Sequence, residues 1–99
     1  MGIRSRRKGA RVENEIVHIL QDRGIAAEKV SGMYKAGPDL SVPIMGCDFS
    51  VEVKARATGF KQLYAWLAGR DILIIKQDRC EPLVVLRLGL AISIAEATK

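Results

Sequence analysis

Ninety-nine residues, 48% apolar and 27% charged, suffice for one small domain with a modest core. No apolar run approaches the ~20 residues of a membrane span, no apolar stretch follows the basic start as in a secretory signal, and two cysteines make no disulfide framework, so a reduced cytoplasmic setting is expected. The net charge of +5 resides in residues 1–11, where Arg4, Arg6, Arg7, Lys8 and Arg11 meet no acid, while the rest of the chain is balanced.

A basic N-terminal arm over 1–11 suits a polyanion, most simply a phosphate backbone; the plainer alternative is a solubilising tail. Residues 12–23 read as the first helix. Val12, Ile16, Ile19 and Leu20 form an apolar stripe at about 100° per residue, with Val17 on its flank and Gly24 as the stop. Glu13 points to the flank of that stripe and admits two readings. It is an acid one turn inside a helix N-terminus, where the macrodipole favours it, or a carboxylate facing a cation shared with other acids. His18, the single histidine, reads as an exposed helix residue. Neither cysteine has a metal-ligand partner at close spacing, which argues against structural zinc. Ile25–Ser31 reads as a strand. Residues 32–38 form a loop punctuated by glycines and Pro38, carrying Lys35 toward the border of the next segment.

That segment is the most informative. Residues 39–45 and 48–54 both alternate polar and apolar, which predicts a β-hairpin with Gly46-Cys47 as a two-residue turn. In this register Met45 faces Asp48, Ser41 faces Glu52 and Asp39 faces Lys54. Leu40, Val42, Ile44, Phe49, Val51 and Val53 share an apolar face. Asp39, Ser41, Ser50, Glu52 and Lys54 share the other. Asp39 and Glu52 are then diagonal neighbours, about 7 Å apart at Cβ, within reach of one hard cation. Mg²⁺ accepts one or two carboxylates and keeps waters, leaving room for phosphate oxygens. Lys54 points the same way. A lone E-x-K is more simply a solvated strand face with a weak ion pair; the aligned Asp39 tips the reading toward a site. Pro43 asks for an edge position or a bulge.

Arg56 to Gly59 reads as a linker and Phe60–Gly69 as the second helix, with Phe60, Leu63, Trp66 and Leu67 inward and Lys61 and Gln62 off the stripe. Trp66 is expected in the core. Asp71–Lys76 is a near-continuous aliphatic strand, as expected where both faces are covered. Asp78-Arg79 turns the chain, Pro82–Leu86 is a further strand and Leu90–Ala97 a last helix. The order predicts an α/β domain over 12–99 with one mixed β-sheet flanked by helices.

Lys8-Gly9-Ala10-Arg11-Val12-Glu13 with Ile16-Val17 and Leu20, then Pro38-Asp39, Glu52-Val53-Lys54 and Gln62, in that order, resemble the PD-(D/E)xK nuclease superfamily, and within it the archaeal-type Holliday junction resolvases. The likeness runs from about Lys8 to Lys76. It implies a restriction-endonuclease-like fold with an α-β-β-β-α-β core, and hydrolysis of phosphodiester bonds in branched DNA by a homodimer. It implies one or two Mg²⁺, with Mn²⁺ able to substitute, held by Asp39, Glu52 and the Val53 carbonyl, with Glu13 as an outer or second-metal ligand. Lys54 would position the attacking water or stabilise the transition state, and Gln62 would complete the catalytic set. Arg4, Arg6, Arg7, Lys8, Arg11, Lys35, Arg56 and Lys61 would contact the DNA backbone. The resolvases carry a serine after a glycine in the loop before the aspartate; here Met33 follows Gly32, and Ser31 precedes it. Virus-type replication-repair nuclease domains are the alternative. They share a segment like Ala36-Gly37-Pro38-Asp39, an E-x-K and a downstream glutamine, would act on other branched or flap DNA, and leave a virus- or phage-encoded origin open. A non-catalytic DNA-binding module on the same fold would be expected to lose Asp39, Glu52 or Lys54, and none is lost.

Overall fold

The computed structural model describes residues 3–30 and 38–98, with side chains from residue 7 onward, so Ser31, Met33 and Lys35 and the side chains of Arg4 and Arg6 lie outside the described residues. The protein is a small α/β chain with three helices and two antiparallel sheets, divided into two compact units, Met1–Ala55 and Arg56–Lys99.

In the first unit, α1 spans Ile3–Asp22 and begins well before residue 12. Arginine, lysine and alanine are good helix formers, and they carry the helix back through the basic segment. From Ile3 onward the basic segment is therefore continuous with α1. This also settles one reading of Glu13: it lies mid-helix, too far from the N-terminus for the macrodipole to favour it, since that effect fades within a turn. The helix ends at a Schellman cap. Gly24 takes φ +83°, its N–H donates to the Gln21 carbonyl at 3.0 Å, and the Ile25 N–H donates to the Leu20 carbonyl at 3.0 Å. Leu20 and Ile25, the apolar pair of that motif, are both buried. The Gln21 side-chain amide then donates to the Ala27 carbonyl at 2.9 Å. The chain turns back into β1 (Glu28–Lys29), a two-residue strand where a longer one over 25–31 was expected.

Strands β2 (Leu40–Ile44) and β3 (Cys47–Val51) form the hairpin, and the sheet order is β1-β2-β3, antiparallel throughout. The turn is Met45-Gly46, with φ +53° and +76°. Positive φ at both central residues is what a type I′ hairpin turn demands. Ser41 pairs with Ser50, Val42 with Phe49 and Pro43 with Asp48, so the pairing is displaced by two residues from the expected one. Met45 does not face Asp48, and Ser41 does not face Glu52. A displacement of two keeps every side chain on its face, because the strand period is two. Leu40 and Val42 are buried on the apolar face as expected, while Phe49 is 44% exposed. Among the described residues β1 pairs with β2 only at Leu40 and Ser41, so Pro43 lies beyond the part of β2 that β1 covers, which suits a residue with no N–H to donate.

In the second unit, α2 (Lys61–Leu67) follows Phe60, which supplies no side-chain cap, and is shorter than expected. β4 (Ile72–Ile75) pairs antiparallel with β5 (Leu83–Leu86), and α3 (Leu88–Ala97) follows. Among the described residues there is thus no mixed sheet. The aliphatic strand pairs with the next segment through a short connection, and only antiparallel strands can be joined that way. Two further expectations fail here. Trp66 is 55% exposed rather than in the core, and Ile72 and Ile74 are exposed rather than covered. Leu67 and Ile92 are this unit's buried residues. No described helix is long and apolar enough to cross a membrane.

Candidate active site

The hairpin becomes irregular where the chemistry was expected. The Asp39 N–H donates to the Val51 carbonyl at 3.0 Å, although Val51 is already the partner of Leu40. Two residues of one strand against one of the other is the count of a β-bulge, a device that re-aims side chains and is common beside active sites. The Asp39 carbonyl accepts the Val30 N–H at 3.0 Å, so its backbone is tied to both flanking segments. Its carboxylate accepts the Val53 N–H through Oδ2 at 2.7 Å. That charge-assisted bond draws Glu52-Val53-Lys54 against Asp39 beyond the point where β3 ends.

Lys54 Nζ lies 2.9 Å from Glu52 Oε2 rather than opposite Asp39. Both side chains are about half exposed, so the pair adds little stability. Its consequence is orientation: the ammonium is held beside the acid. Glu13, on α1, meets Lys29 of β1, with Nζ 3.6 Å from Oε1 and the Glu13 side chain 21% exposed. Lys29 was not singled out by the sequence. It comes level with Glu13 because the cap at Gly24 returns the chain along α1, and the only cue was its place on the first strand after a helix whose acid flanks the buried stripe.

Each acid thus has its own partner: Glu13 has Lys29, Asp39 has the Val53 N–H, and Glu52 has Lys54. Among the described residues no three His, Cys, Asp or Glu side chains stand together as a ready metal-binding group. Asp39 and Glu52 still suit a hard dication in donor type and number, because Mg²⁺ takes one or two carboxylates and completes its shell with water.

The other expected residues are distributed as follows. Arg7 and Arg11 are exposed on α1 and Lys8 is half-buried. Lys61 and Gln62 are exposed at the start of α2, and Arg56 opens the second unit, so these three belong to a different unit from the acids. A concavity of about 410 Å³ also lies in the second unit, lined by Phe60, Leu63, Tyr64 and Leu67, by Val85 and Leu86 of β5, and by Arg87 and Leu88 at the start of α3. It contains no acid and none of the candidate residues. Its lining includes Arg87 and Tyr64 but no carboxylate, imidazole or thiol to hold a metal, so it does not suit the metal-dependent chemistry expected of the acids in the first unit. No family model, curated protein or solved structure matches the chain.

Proposed function

We propose that the chain is a Mg²⁺-dependent DNA endonuclease of the PD-(D/E)xK kind, with a restriction-endonuclease-like fold, acting on branched DNA as Holliday junction resolvases do. The observation that carries this reading is the 2.7 Å bond from the Val53 N–H to the Asp39 carboxylate. It joins the two halves of the motif at one point of the hairpin.

Asp39, Glu52 and the Val53 carbonyl would hold the ion. When bound, Mg²⁺ polarises a phosphoryl oxygen and makes water a better nucleophile. Asp39 uses one acceptor site on the Val53 N–H, and an ionised carboxylate has about four, so most of its capacity stays available. Lys54, steadied by Glu52, presents further N–H donors to a phosphoryl oxygen or to the attacking water, where negative charge develops. Glu13 stands as the outer acid.

Charge supports the same reading. Residues 12–55 hold four basic against seven acidic residues, a net of −3. Such a surface repels DNA unless cations intervene. A dication at the acids and the basic first half of α1 would supply them, with Arg7, Lys8 and Arg11 placing phosphates rather than reading bases. Pairing of two copies, giving two cuts on one branched substrate, belongs to the proposal.

The test is incubation of the purified chain with labelled four-way junction, flap, duplex and single strand, with and without Mg²⁺. Metal-dependent cutting that favours the junction is the expected result. Preference for the flap would point instead to the replication-repair type. Binding without cutting under every metal tried would replace the nuclease with a DNA-binding module.

A further inference from the structure

We infer that the concavity of the second unit docks the C-terminus of an acidic partner peptide, taking its last apolar side chain into the hollow and its carboxylate onto Arg87. Every residue used lies in the second unit, so this stands apart from the nuclease reading. Phe60, Leu63, Tyr64 and Leu67 follow one another at i, i+3, i+4 and i+7 and share one helical face. Val85 and Leu86 of β5 supply a further wall. Leu67 is buried, Phe60 and Leu63 are half-buried and Tyr64 is 75% exposed, so the face is covered at one end and open along the rest. The space of about 410 Å³ falls within the roughly 300–1,000 Å³ of ligand sites.

Arg87 is the charged group of this lining. Its Nη1 donates to the Arg70 carbonyl at 3.0 Å, which ties the start of α3 to the loop after α2 and steadies the guanidinium. A guanidinium has five N–H donors, so most stay available, and among the described residues Arg87 makes no ion pair. A cation beside an apolar hollow selects an anion with an apolar body, and arginine matches a carboxylate bidentately. A C-terminal residue presents both groups on one Cα. A free amphiphile fits less well. Bound small molecules are about 70–90% enclosed, whereas Tyr64 and Arg87 leave this rim in solvent. A peptide continues past the rim, where residues 56–99 hold seven basic against four acidic residues, a net of +3. That charge favours acidic residues ahead of the last one. A phosphate backbone would meet the same charge but has no apolar side chain to fill the hollow.

The experiment is fluorescence anisotropy of the full chain with a labelled aspartate-rich peptide ending in phenylalanine, as the free acid and as the C-terminal amide. Thermal unfolding checks the fold of each variant. Saturable binding of the acid, weakened about tenfold or more in the amide, is the expected result. Arg87→Gln should weaken the acid by a similar factor and no longer tell acid from amide, because both changes remove one contact. Lys76→Gln removes a charge outside the concavity and should keep the preference. Tyr64→Ala should weaken acid and amide alike, by about tenfold or less. A wild type that binds neither form, or both equally, overturns the inference, and so does a folded Arg87→Gln that still prefers the acid. Decanoate bound more tightly than the peptide overturns it in favour of a free amphiphile. A Tyr64→Ala variant that loses single-stranded DNA and keeps the peptide overturns it in favour of base stacking. If Arg87→Gln does not fold, the wild-type preference for the acid together with the loss in Tyr64→Ala supports the inference, and the absence of either overturns it.

Discussion

The two units treat their apolar side chains differently. Val17, Leu20, Ile25, Ala27, Leu40 and Val42 are buried in the first, whereas Leu67 and Ile92 are the buried pair of the second, which leaves Trp66, Ile72, Ile74, Leu83 and Val84 exposed. Supply of aliphatic residues is not the reason, since β4 is aliphatic at every position. Pattern is the reason. The β2–β3 hairpin alternates, so burying one face leaves a polar face for solvent and for chemistry. Ile72-Leu73-Ile74-Ile75 does not alternate, so burying either face exposes the other, and a two-stranded sheet is marginal alone. The unit with the acids is also the unit with the better-sorted core.

The largest effects should fall on catalysis and only in the first unit. Asp39→Asn, Glu52→Gln and Lys54→Ala should each lower single-turnover cleavage roughly 100- to 1,000-fold. The amide introduced by Asp39→Asn would still offer an oxygen to the Val53 N–H, so the fold of that variant should persist. Gln62→Ala, in the second unit, should lose about tenfold or less. An equal loss would break the comparison by giving the second unit a full share of the chemistry. Wild-type rates in any of the first three would falsify the site.

Stability should show the same division. Leu40 is fully buried, and Leu40→Ala should cost about 2–5 kcal/mol in urea denaturation. Ile74 is 65% exposed, and Ile74→Ala should stay within about 0.5 kcal/mol. Similar losses at both would mean that Ile74 is covered in solution.

The smallest effect concerns DNA affinity. Removing residues 1–7 deletes Arg4, Arg6 and Arg7, so the log–log salt slope of junction binding should fall by up to about 2.7. Cleavage at saturating protein should survive. Lys76→Ala with Arg79→Ala, in the second unit, should leave the slope unchanged. An unchanged slope in the truncated chain would make the basic segment a solubilising element, and an equal fall in the double variant would spread DNA contact over both units.

The stop of α1 at Gly24, the hairpin and most of the sorting of its two faces were legible in the sequence; the stripe was legible only in part, since Ile19, assigned to it, is 46% exposed and Val17, placed on its flank, is buried. The register was not legible. A slip of two still sets apolar against apolar, so alternation determines parity but not partners. The start of α1 escaped because its first turn holds no acid and no apolar stripe, leaving only propensity to extend it. Trp66 shows a different limit: a stripe says which way a side chain points, not whether anything covers it. Of the candidate site, Asp39 and Glu52 could be joined on paper because one hairpin holds both. Lys29 could not, since its meeting with Glu13 depends on how the chain returns past a helix.

The Asp39–Val53 bond bridges only 14 residues, and this bears on the order of folding. Hairpins close in about 1–10 μs, and short-range contacts form ahead of those that must close long loops. Asp39 and Glu52 therefore belong to a piece of chain that can meet in its first local event, whereas Glu13 must wait for α1 to dock. During synthesis, at about 5–20 residues per second, the two hairpin acids are together long before the second unit has left the ribosome.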